Sequence, residues 1–173
     1  MKALSLLSLS LALAAPAVCS ADEPYRIRPV DIRGTLSVVE GRLMVGLSGK
    51  LNHGSSEWTL PPGWRTKPVS LSPSGAGAYR GWSIGYDPKT RQGVVTLDKP
   101  GEVRCFWKIS DAKGPVGSYL RADAGKYEGW YLTVDDKVEK ATDRDGKPYT
   151  FHRLLLTKEP SKRSLWTISE IGR

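Results

Sequence analysis

Apolar and polar residues alternate along most of this chain in short runs, and Gly, Pro, Asp and Ser separate the runs. Alternation with a period of two is typical of half-buried β-strands, and the separating residues favour turns. No window has the spacing i, i+3, i+4 and i+7 over the dozen residues that a helix needs. The pattern therefore predicts three groups of four strands: Val30–Arg33, Leu36–Val39, Leu43–Leu47 and Glu57–Leu60; Val69–Ser72, Trp82–Tyr86, Gly93–Leu97 and Val103–Ser110; Tyr119–Ala122, Gly129–Val134, Phe151–Thr157 and Ser164–Ser169.

An internal repeat supports this grouping. A tryptophan followed two positions later by Leu or Ile occurs at Trp58, Trp107 and Trp166, at intervals of 49 and 59 residues. A second motif, Gly-x-Tyr-x-Gly-Trp, occurs twice, and its residues are Gly77, Tyr79, Gly81 and Trp82 in one copy and Gly125, Tyr127, Gly129 and Trp130 in the other. Self-similarity at such a period is the sequence signature of a repeat architecture.

The strand alternation assigns the repeated tryptophans to one face. Trp58 shares its face with Leu60, and the tryptophans of the other two copies share theirs with an isoleucine in the same way. We therefore expect the three indoles to form the core of a closed, pseudo-threefold barrel. The alternative role of these indoles is to act as platforms on which sugars stack, and it conflicts with their position on the inward face of the strands.

Two segments depart from the strand pattern. Residues 22–29 are polar, contain prolines and are interpreted as a lead-in to the first strand. The charged stretch from Val134 to Lys147 corresponds to 11 extra residues in the third copy, and Asp145-Gly146 is a turn dipeptide. This stretch is interpreted as an enlarged hairpin loop rather than as a helical turn.

The first 21 residues are typical of a secretory signal. Lys2 provides a basic start, an apolar run follows from Leu4 to Val18, and Cys19-Ser20-Ala21 fits a cleavage site. The signal predicts a secreted or periplasmic protein whose mature part, residues 22–173, is a single all-β domain with repeats at about 30–60, 61–110 and 111–170. No later segment is apolar enough to be expected to span a membrane.

The net charge of the chain limits the classes of partner that we expect, and its cysteine content limits the disulfides. The predicted mature chain has 25 basic and 18 acidic residues, a net charge of +7. A basic exported protein encounters anionic surfaces such as acidic polysaccharides, although the charge can also serve solubility alone. Nucleic acid is not expected in that compartment. Cys105 is the one cysteine after the signal, so no intramolecular disulfide is expected, and its strand phase favours a buried thiol.

Four strands repeated three times, with Trp-x-Ile or Trp-x-Leu in the fourth strand, resemble a β-trefoil. The segment from Tyr119 to Lys126, followed by Tyr131-Leu132-Thr133-Val134, is similar to the first hairpin of ricin-B-like and related trefoil repeats. The resemblance implies three four-stranded repeats, and the alternatives are a β-prism or a β-sandwich. Trefoils bind sugars, inhibit proteases, bind actin or act as cytokines, so the fold does not fix the function.

No catalytic constellation, metal site or cofactor motif is found in the sequence. His53 is in a turn context and His152 in a strand, where a structural role is expected. Asp143-Arg144-Asp145-Gly146 has part of a calcium-loop spacing but lacks the further ligands and the closing Glu of a full loop.

The duplicated loops hold the candidate ligand-binding residues. Tyr79, Tyr127 and Trp64 would stack on a ligand, while Arg80, Asp87 and Asp123 would orient polar groups. An aromatic ring beside a polar group is the combination that carbohydrate sites use. The alternative is that both tyrosines pack beneath their own turns. The binding hypothesis predicts that Tyr127→Ala abolishes glycan retention and leaves the melting temperature nearly unchanged.

Three functional classes follow. The leading hypothesis is a non-catalytic binding module for carbohydrate or another extracellular or cell-surface ligand, with an anionic polymer as a further partner. The second is a trefoil-type protease inhibitor that presents the basic residues of the Val138–Tyr149 loop, and the third is a hydrolytic enzyme with an unrecognised carboxylate pair. The oligomeric state is not encoded in any of these patterns.

Overall fold

A computed structural model describes residues 24–47, 54–74, 78–79, 81–97, 106–112 and 116–172. The predicted signal, His53 and Cys105 lie outside this part of the chain. The strands are β1 (Pro24–Pro29), β2 (Thr35–Val39), β3 (Arg42–Gly46), β4 (Gly54–Ser55), β5 (Trp58–Thr59), β6 (Ser72–Pro73), β7 (Trp82–Tyr86), β8 (Gly93–Leu97), β9 (Trp107–Asp111), β10 (Ser118–Ala122), β11 (Tyr131–Thr142), β12 (Pro148–Thr157) and β13 (Leu165–Glu170). A 3-10 turn at Lys162–Ser164 precedes β13. Within the described residues, no helix has the length and apolar character needed to cross a membrane.

Apart from the two-residue strand β4, the strands form three sets of four. The sets are β1, β2, β3 and β5; β6 to β9; and β10 to β13. In each set the second and third strands pair as an antiparallel hairpin. The first and fourth strands of the sets pair with one another in the order β6-β5-β1-β13-β10-β9. The four-strand repeat predicted from the sequence is therefore the repeat of the fold.

The six first and fourth strands do not close into a continuous barrel. Among the residues that the structure describes, one isolated bridge, Val69 to Trp107, joins the second repeat's own first and fourth strands, outside the ladder of β6. Its two backbone hydrogen bonds are both 2.9 Å long. The expectation of a closed barrel is wrong in this respect, because β6 contains only Ser72 and Pro73 and Pro73 has no N–H to donate.

The three repeated tryptophans occupy equivalent positions in the core. Trp58, Trp107 and Trp166 are each fully buried. Each indole Nε1 donates to a main-chain carbonyl on the second strand of its own repeat, at distances of 2.9, 2.8 and 3.1 Å; the acceptors are Leu36, Ile84 and Leu132. The indole thus fills the core with its ring and satisfies its one polar atom at the same time. These bonds relate the three repeats residue by residue.

The first strand lies earlier than the sequence indicated. Residues 24–29, interpreted as a polar lead-in, form β1, which pairs with β13 on one side and β5 on the other, whereas 30–34 form a bend. Ile27 is fully buried between exposed or half-buried arginines. The prolines stand at the two ends of the strand, where the loss of an N–H is tolerated.

The enlarged hairpin of the third repeat consists of strand rather than loop. β11 and β12 continue to Thr142 and Pro148 across a register shift after Val134. The extension packs against the hairpin of the first repeat in a second apolar cluster, which contains Val39, Met44, Tyr149 and Phe151. Buried His152 has its Nδ1 3.2 Å from the Lys137 carbonyl, the structural environment that the sequence favoured.

Candidate functional site

The two Gly-x-Tyr-x-Gly-Trp segments form the same turn. In each turn, the main-chain N–H of the tryptophan donates to the main-chain carbonyl of the tyrosine over 3.0 Å, from Trp82 to Tyr79 and from Trp130 to Tyr127. The glycine between them has φ of 77° at Gly81 and 83° at Gly129. This left-handed conformation favours glycine, which explains why the motif repeats it. Gly77 and Arg80 lie outside the described residues.

The tyrosine hydroxyls of these turns join neighbouring repeats. The Gly41 N–H, in the β2–β3 turn of the first repeat, donates to the Tyr79 hydroxyl over 3.0 Å. The Tyr127 hydroxyl donates over 3.1 Å to the carbonyl of Pro88, in the β7–β8 turn of the second repeat. Each tyrosine therefore bonds the hairpin turn of the repeat that precedes its own.

Burial differs among the predicted aromatic ligand residues. Tyr127 is 7% exposed, with its ring centroid 5.4 Å from that of Tyr86 and 5.0 Å from that of Trp130. Trp64 is 8% exposed, packs edge-on against Tyr25 and lies beneath the guanidinium of Arg65, 4.2 Å from its ring centroid. Tyr79 is half-buried against Trp82. These contacts are packing contacts, and a ligand role for these rings remains a prediction.

The polar candidate Asp87 is occupied by its own turn. Its carboxylate accepts from the Thr90 hydroxyl at 2.7 Å and from the Lys89 N–H at 2.9 Å. These hydrogen bonds hold the pKa of Asp87 below its ordinary value, because they stabilise the ionised carboxylate. The side chain thus fixes the β7–β8 turn, whose Pro88 carbonyl receives Tyr127.

Asp123 lies in a different environment, at the rim of an open surface pocket. The pocket, of about 410 Å³, is lined by Arg121, Ala122, Asp123, Glu128 and Gly129. Arg121 in β10 and Asp123, directly after the strand, face outward, since the alternating Leu120 and Ala122 are buried. Two acidic residues and one arginine therefore line this pocket, beside a turn that the Gly129 N–H closes onto the Ala122 carbonyl.

The structure adds one aromatic residue to this pocket's neighbourhood. Phe106 is 38% exposed, and its carbonyl accepts from the Asp123 N–H over 3.0 Å. It continues the β9–β10 register in which Ala122 is opposite Trp107, so Phe106 and Asp123 are on the same outward face. The sequence contained the signal: a residue adjacent to the inward-facing Trp107 must face outward.

The turn of the long hairpin shows how its acidic residues are used. The Asp143 Oδ1 accepts from the N–H groups of Asp145 and Lys147, at 3.0 and 2.8 Å. This arrangement is an ordinary side-chain-capped turn. Across the described residues, no three or more His, Cys, Asp or Glu side chains are grouped as a metal site would require.

A pair of substitutions at Tyr127 separates its packing from its hydrogen bond. We expect Tyr127→Phe to lower the free energy of unfolding by about 1 kcal/mol, because only the bond to Pro88 is lost. Tyr127→Ala should lower it by about 3 kcal/mol or more, because a buried ring leaves a cavity. This differs from the nearly unchanged melting temperature that the binding hypothesis predicts from the sequence, because Tyr127 is buried. Urea denaturation of both variants measures this. Equal stability of Tyr127→Ala and the parent would contradict the packing role.

No protein-family model matches this chain, and no curated protein sequence does. Several solved structures are similar to it, and SeviL and a mosquitocidal holotoxin are two of them. SeviL, solved bound to asialo-GM1 saccharide, superposes with a TM-score of 0.55 at 12% identity, over 86% of this chain and 97% of SeviL. A mosquitocidal holotoxin superposes with a TM-score of 0.62 at 11% identity, over 87% of this chain and 17% of the toxin chain. This likeness shows the fold: the chain is an all-β protein of the β-trefoil type, as its repeats predicted.

Proposed function

We propose that this protein is an exported, non-catalytic carbohydrate-binding module whose principal sugar site is the Asp123 pocket. The observation that carries the proposal is that Arg121, Asp123 and Glu128 line one pocket, while exposed Phe106 lies opposite Asp123 across a 3.0 Å main-chain hydrogen bond. Export rests on the signal-like residues 1–21 and is part of the proposal.

The chemistry of the pocket suits a sugar. Carboxylate oxygens of Asp123 and Glu128 accept hydrogen bonds from hydroxyl groups, and the guanidinium of Arg121 donates to hydroxyl or ring oxygens. Exposed Phe106 offers an apolar face to the C–H groups of a sugar ring. Carbohydrate sites combine these two kinds of contact because a sugar has polar edges and apolar faces.

The structural neighbours support this class of ligand. SeviL has the same fold and was solved with a bound saccharide. Because one fold supports many functions, this likeness raises the expectation of sugar binding without naming the sugar. The asialo-GM1 saccharide is therefore one probe among several.

Four of the predicted ligand residues have a positioning role in the proposal, whereas Asp123 contacts the sugar. These four are Tyr79, Asp87, Tyr127 and Trp64. Asp87 fixes the β7–β8 turn of the second repeat, and Tyr127 of the third repeat donates to the Pro88 carbonyl in that turn. Tyr127 lies in the loop that follows Asp123. We propose that Asp87 and Tyr127 position the pocket, and that Tyr79 and Trp64 do the same for the loops that contain them. Arg80 keeps its predicted role as a polar contact, outside the described residues.

A glycan array with the mature protein, run at low and at high salt, tests the proposal. Asp123→Ala should abolish salt-resistant binding, and Phe106→Ala should weaken it roughly tenfold or more, while thermal stability stays close to that of the parent because both side chains face outward. Asp31→Ala is the matched control, since Asp31 is an exposed carboxylate away from this pocket. Equal loss in the control, or binding that disappears at high salt in the parent, would mean that only net charge attracts the glycans.

A further inference from the structure

The indole hydrogen bonds and the strand register define which residues of the three repeats are equivalent. Leu36, Ile84 and Leu132 are equivalent, because each accepts an indole N–H. Their hairpin partners on the third strands are Val45, Val95 and Leu156. Counting back along the third strands gives two further sets of equivalent residues: Leu43, Gly93 and Leu154, and before them Arg42, Gln92 and Arg153.

The first of these sets meets at the pseudo-threefold axis. A Cβ atom built on Gly93 would lie 3.0 Å from the Leu154 Cβ and 3.4 Å from the Leu43 Cδ2. The Leu132 Cδ1 would also lie 3.0 Å from that Cβ. The side chains of these three leucines thus pack closely against Gly93, and the missing side chain of Gly93 permits this packing. Because the second repeat has glycine where the others have leucine, the ring of apolar side chains around the axis is incomplete.

A cavity of about 300 Å³ opens at this point. Its lining contains all six equivalent residues together with Gly41, Val94 and Phe151. Leu43, Leu154 and Phe151 are buried and give it an apolar floor, while exposed Arg42 and Arg153 and half-buried Gln92 are at its rim. One polar residue from each repeat therefore surrounds a single apolar depression.

The rim has unused hydrogen-bonding capacity. Arg153 is held by Glu139, with its Nε 2.7 Å from the Glu139 Oε1. Arg42 makes no ion pair with the residues that the structure describes, and the Gln92 side-chain amide makes no hydrogen bond with them either. The guanidinium of Arg42 and the amide of Gln92 are therefore available to a ligand.

We infer that this axial cavity binds the carboxylate of an acidic sugar residue, such as a hexuronic acid. Arginine presents paired donors that match a carboxylate, and the amide of Gln92 can donate to the same group or to a neighbouring hydroxyl. The apolar floor faces the C–H groups of the ring. The volume lies at the lower end of the range for small-molecule sites, which fits one sugar ring and not a long ligand.

Arg153, the second arginine at the rim, does not add a second net positive charge to the site. The close pair with Glu139 neutralises Arg153 and fixes it at the rim, so Arg42 is the net positive group. Because the rim has one net positive charge, we expect it to attract a ligand group that has one carboxylate. This axial site is separate from the Asp123 pocket and does not depend on the sugar-binding role proposed there.

Ligands that differ only in charge test the inference first. Galacturonate, its methyl ester and galactose have nearly the same ring, and only the first is an anion at neutral pH. Calorimetric titration of the full mature protein should show saturable binding of galacturonate, at least about tenfold weaker binding of the methyl ester, and weak or undetectable binding of galactose. Equal binding of galacturonate and its ester, or no binding of galacturonate in the millimolar range, would overturn it.

Variants then place the binding at the axis. Arg42→Gln should weaken galacturonate binding roughly tenfold, and Gln92→Glu should weaken it further by placing a negative charge at the rim. Arg28→Gln, an equal charge change at an exposed position of β1 that does not line the cavity, should leave it unchanged, as should Asp123→Ala. Circular dichroism verifies that each variant is folded. An Arg28→Gln effect as large as that of Arg42→Gln would assign the binding to overall charge and reject the site.

Discussion

Replacing Trp107 by alanine is expected to lower the free energy of unfolding by about 3–5 kcal/mol, the usual cost of truncating a fully buried indole. Two losses contribute. The ring leaves a cavity in the core, and the Ile84 carbonyl, fully inside the protein, loses its donor at 2.8 Å. For a domain of this size the melting temperature should fall by roughly 10 °C. Chemical denaturation followed by circular dichroism measures the effect.

Two companion variants make the Trp107 experiment specific. Trp107→Phe retains most of the ring and removes the donor, so it should cost about 1–3 kcal/mol, the usual penalty for an unsatisfied buried polar group. Trp82→Ala removes the same residue type from a half-buried position on β7, and the loss should be clearly smaller. If Trp82→Ala and Trp107→Ala cost the same, the repeated indoles would not be the core that the symmetry indicates.

Gly34→Ala is expected to be nearly as damaging, although it adds one methyl group. The new Cβ would lie 2.5 Å from the Gly46 carbonyl oxygen and 2.8 Å from the Val45 Cγ1. Both are close contacts with β3, and Gly34 also has φ of 141°, which L side chains rarely adopt. Backbone strain and overpacking together should cost about 2–5 kcal/mol.

A glycine with room around it is the control for Gly34. Gly146, at the tip of the β11–β12 hairpin, has φ of 78°, and a Cβ there would meet nothing within 4 Å. Gly146→Ala should therefore cost only the conformational strain, about 1–2 kcal/mol. Thermal denaturation of the two variants side by side separates steric conflict from backbone strain; a larger effect at Gly146 would show that the contacts of Gly34 relax at little cost.

The strands could be predicted from the sequence wherever the local alternation of apolar and polar residues was clear. Trp82–Tyr86 and Gly93–Leu97 were predicted with the bounds that the structure has, because each alternates cleanly between turn residues. β1 was missed because only Ile27 marks its inward face between charged residues and prolines. The gap in the barrel could not be foreseen, since it depends on how far the β6 ladder extends in space.

The candidate site shows the same limit. The sequence singled out Asp123, which lines a pocket, and Tyr127, which is buried beside it. A Gly-x-Tyr-x-Gly-Trp motif does not reveal which way the ring turns; the hydroxyl's partner, Pro88, lies 39 residues away and belongs to another repeat. Phe106 was not predicted as a site residue, because the Trp-x-Ile pattern beside it marks the inward face and Phe106 faces outward. The axial cavity is formed by residues from three repeats, and no single window of sequence contains it.

The tyrosine contacts have a consequence for assembly. The second repeat contains both halves of the contact between neighbours: Tyr79 bonds the turn before it, and the Pro88 turn receives the tyrosine after it. The first repeat has Asp31 at the equivalent position, so it holds only the receiving half. A head-to-tail contact closes into a ring when its rotation is one third of a turn. Separate chains made from the second repeat alone would therefore contain the complementary surfaces of a cyclic homotrimer.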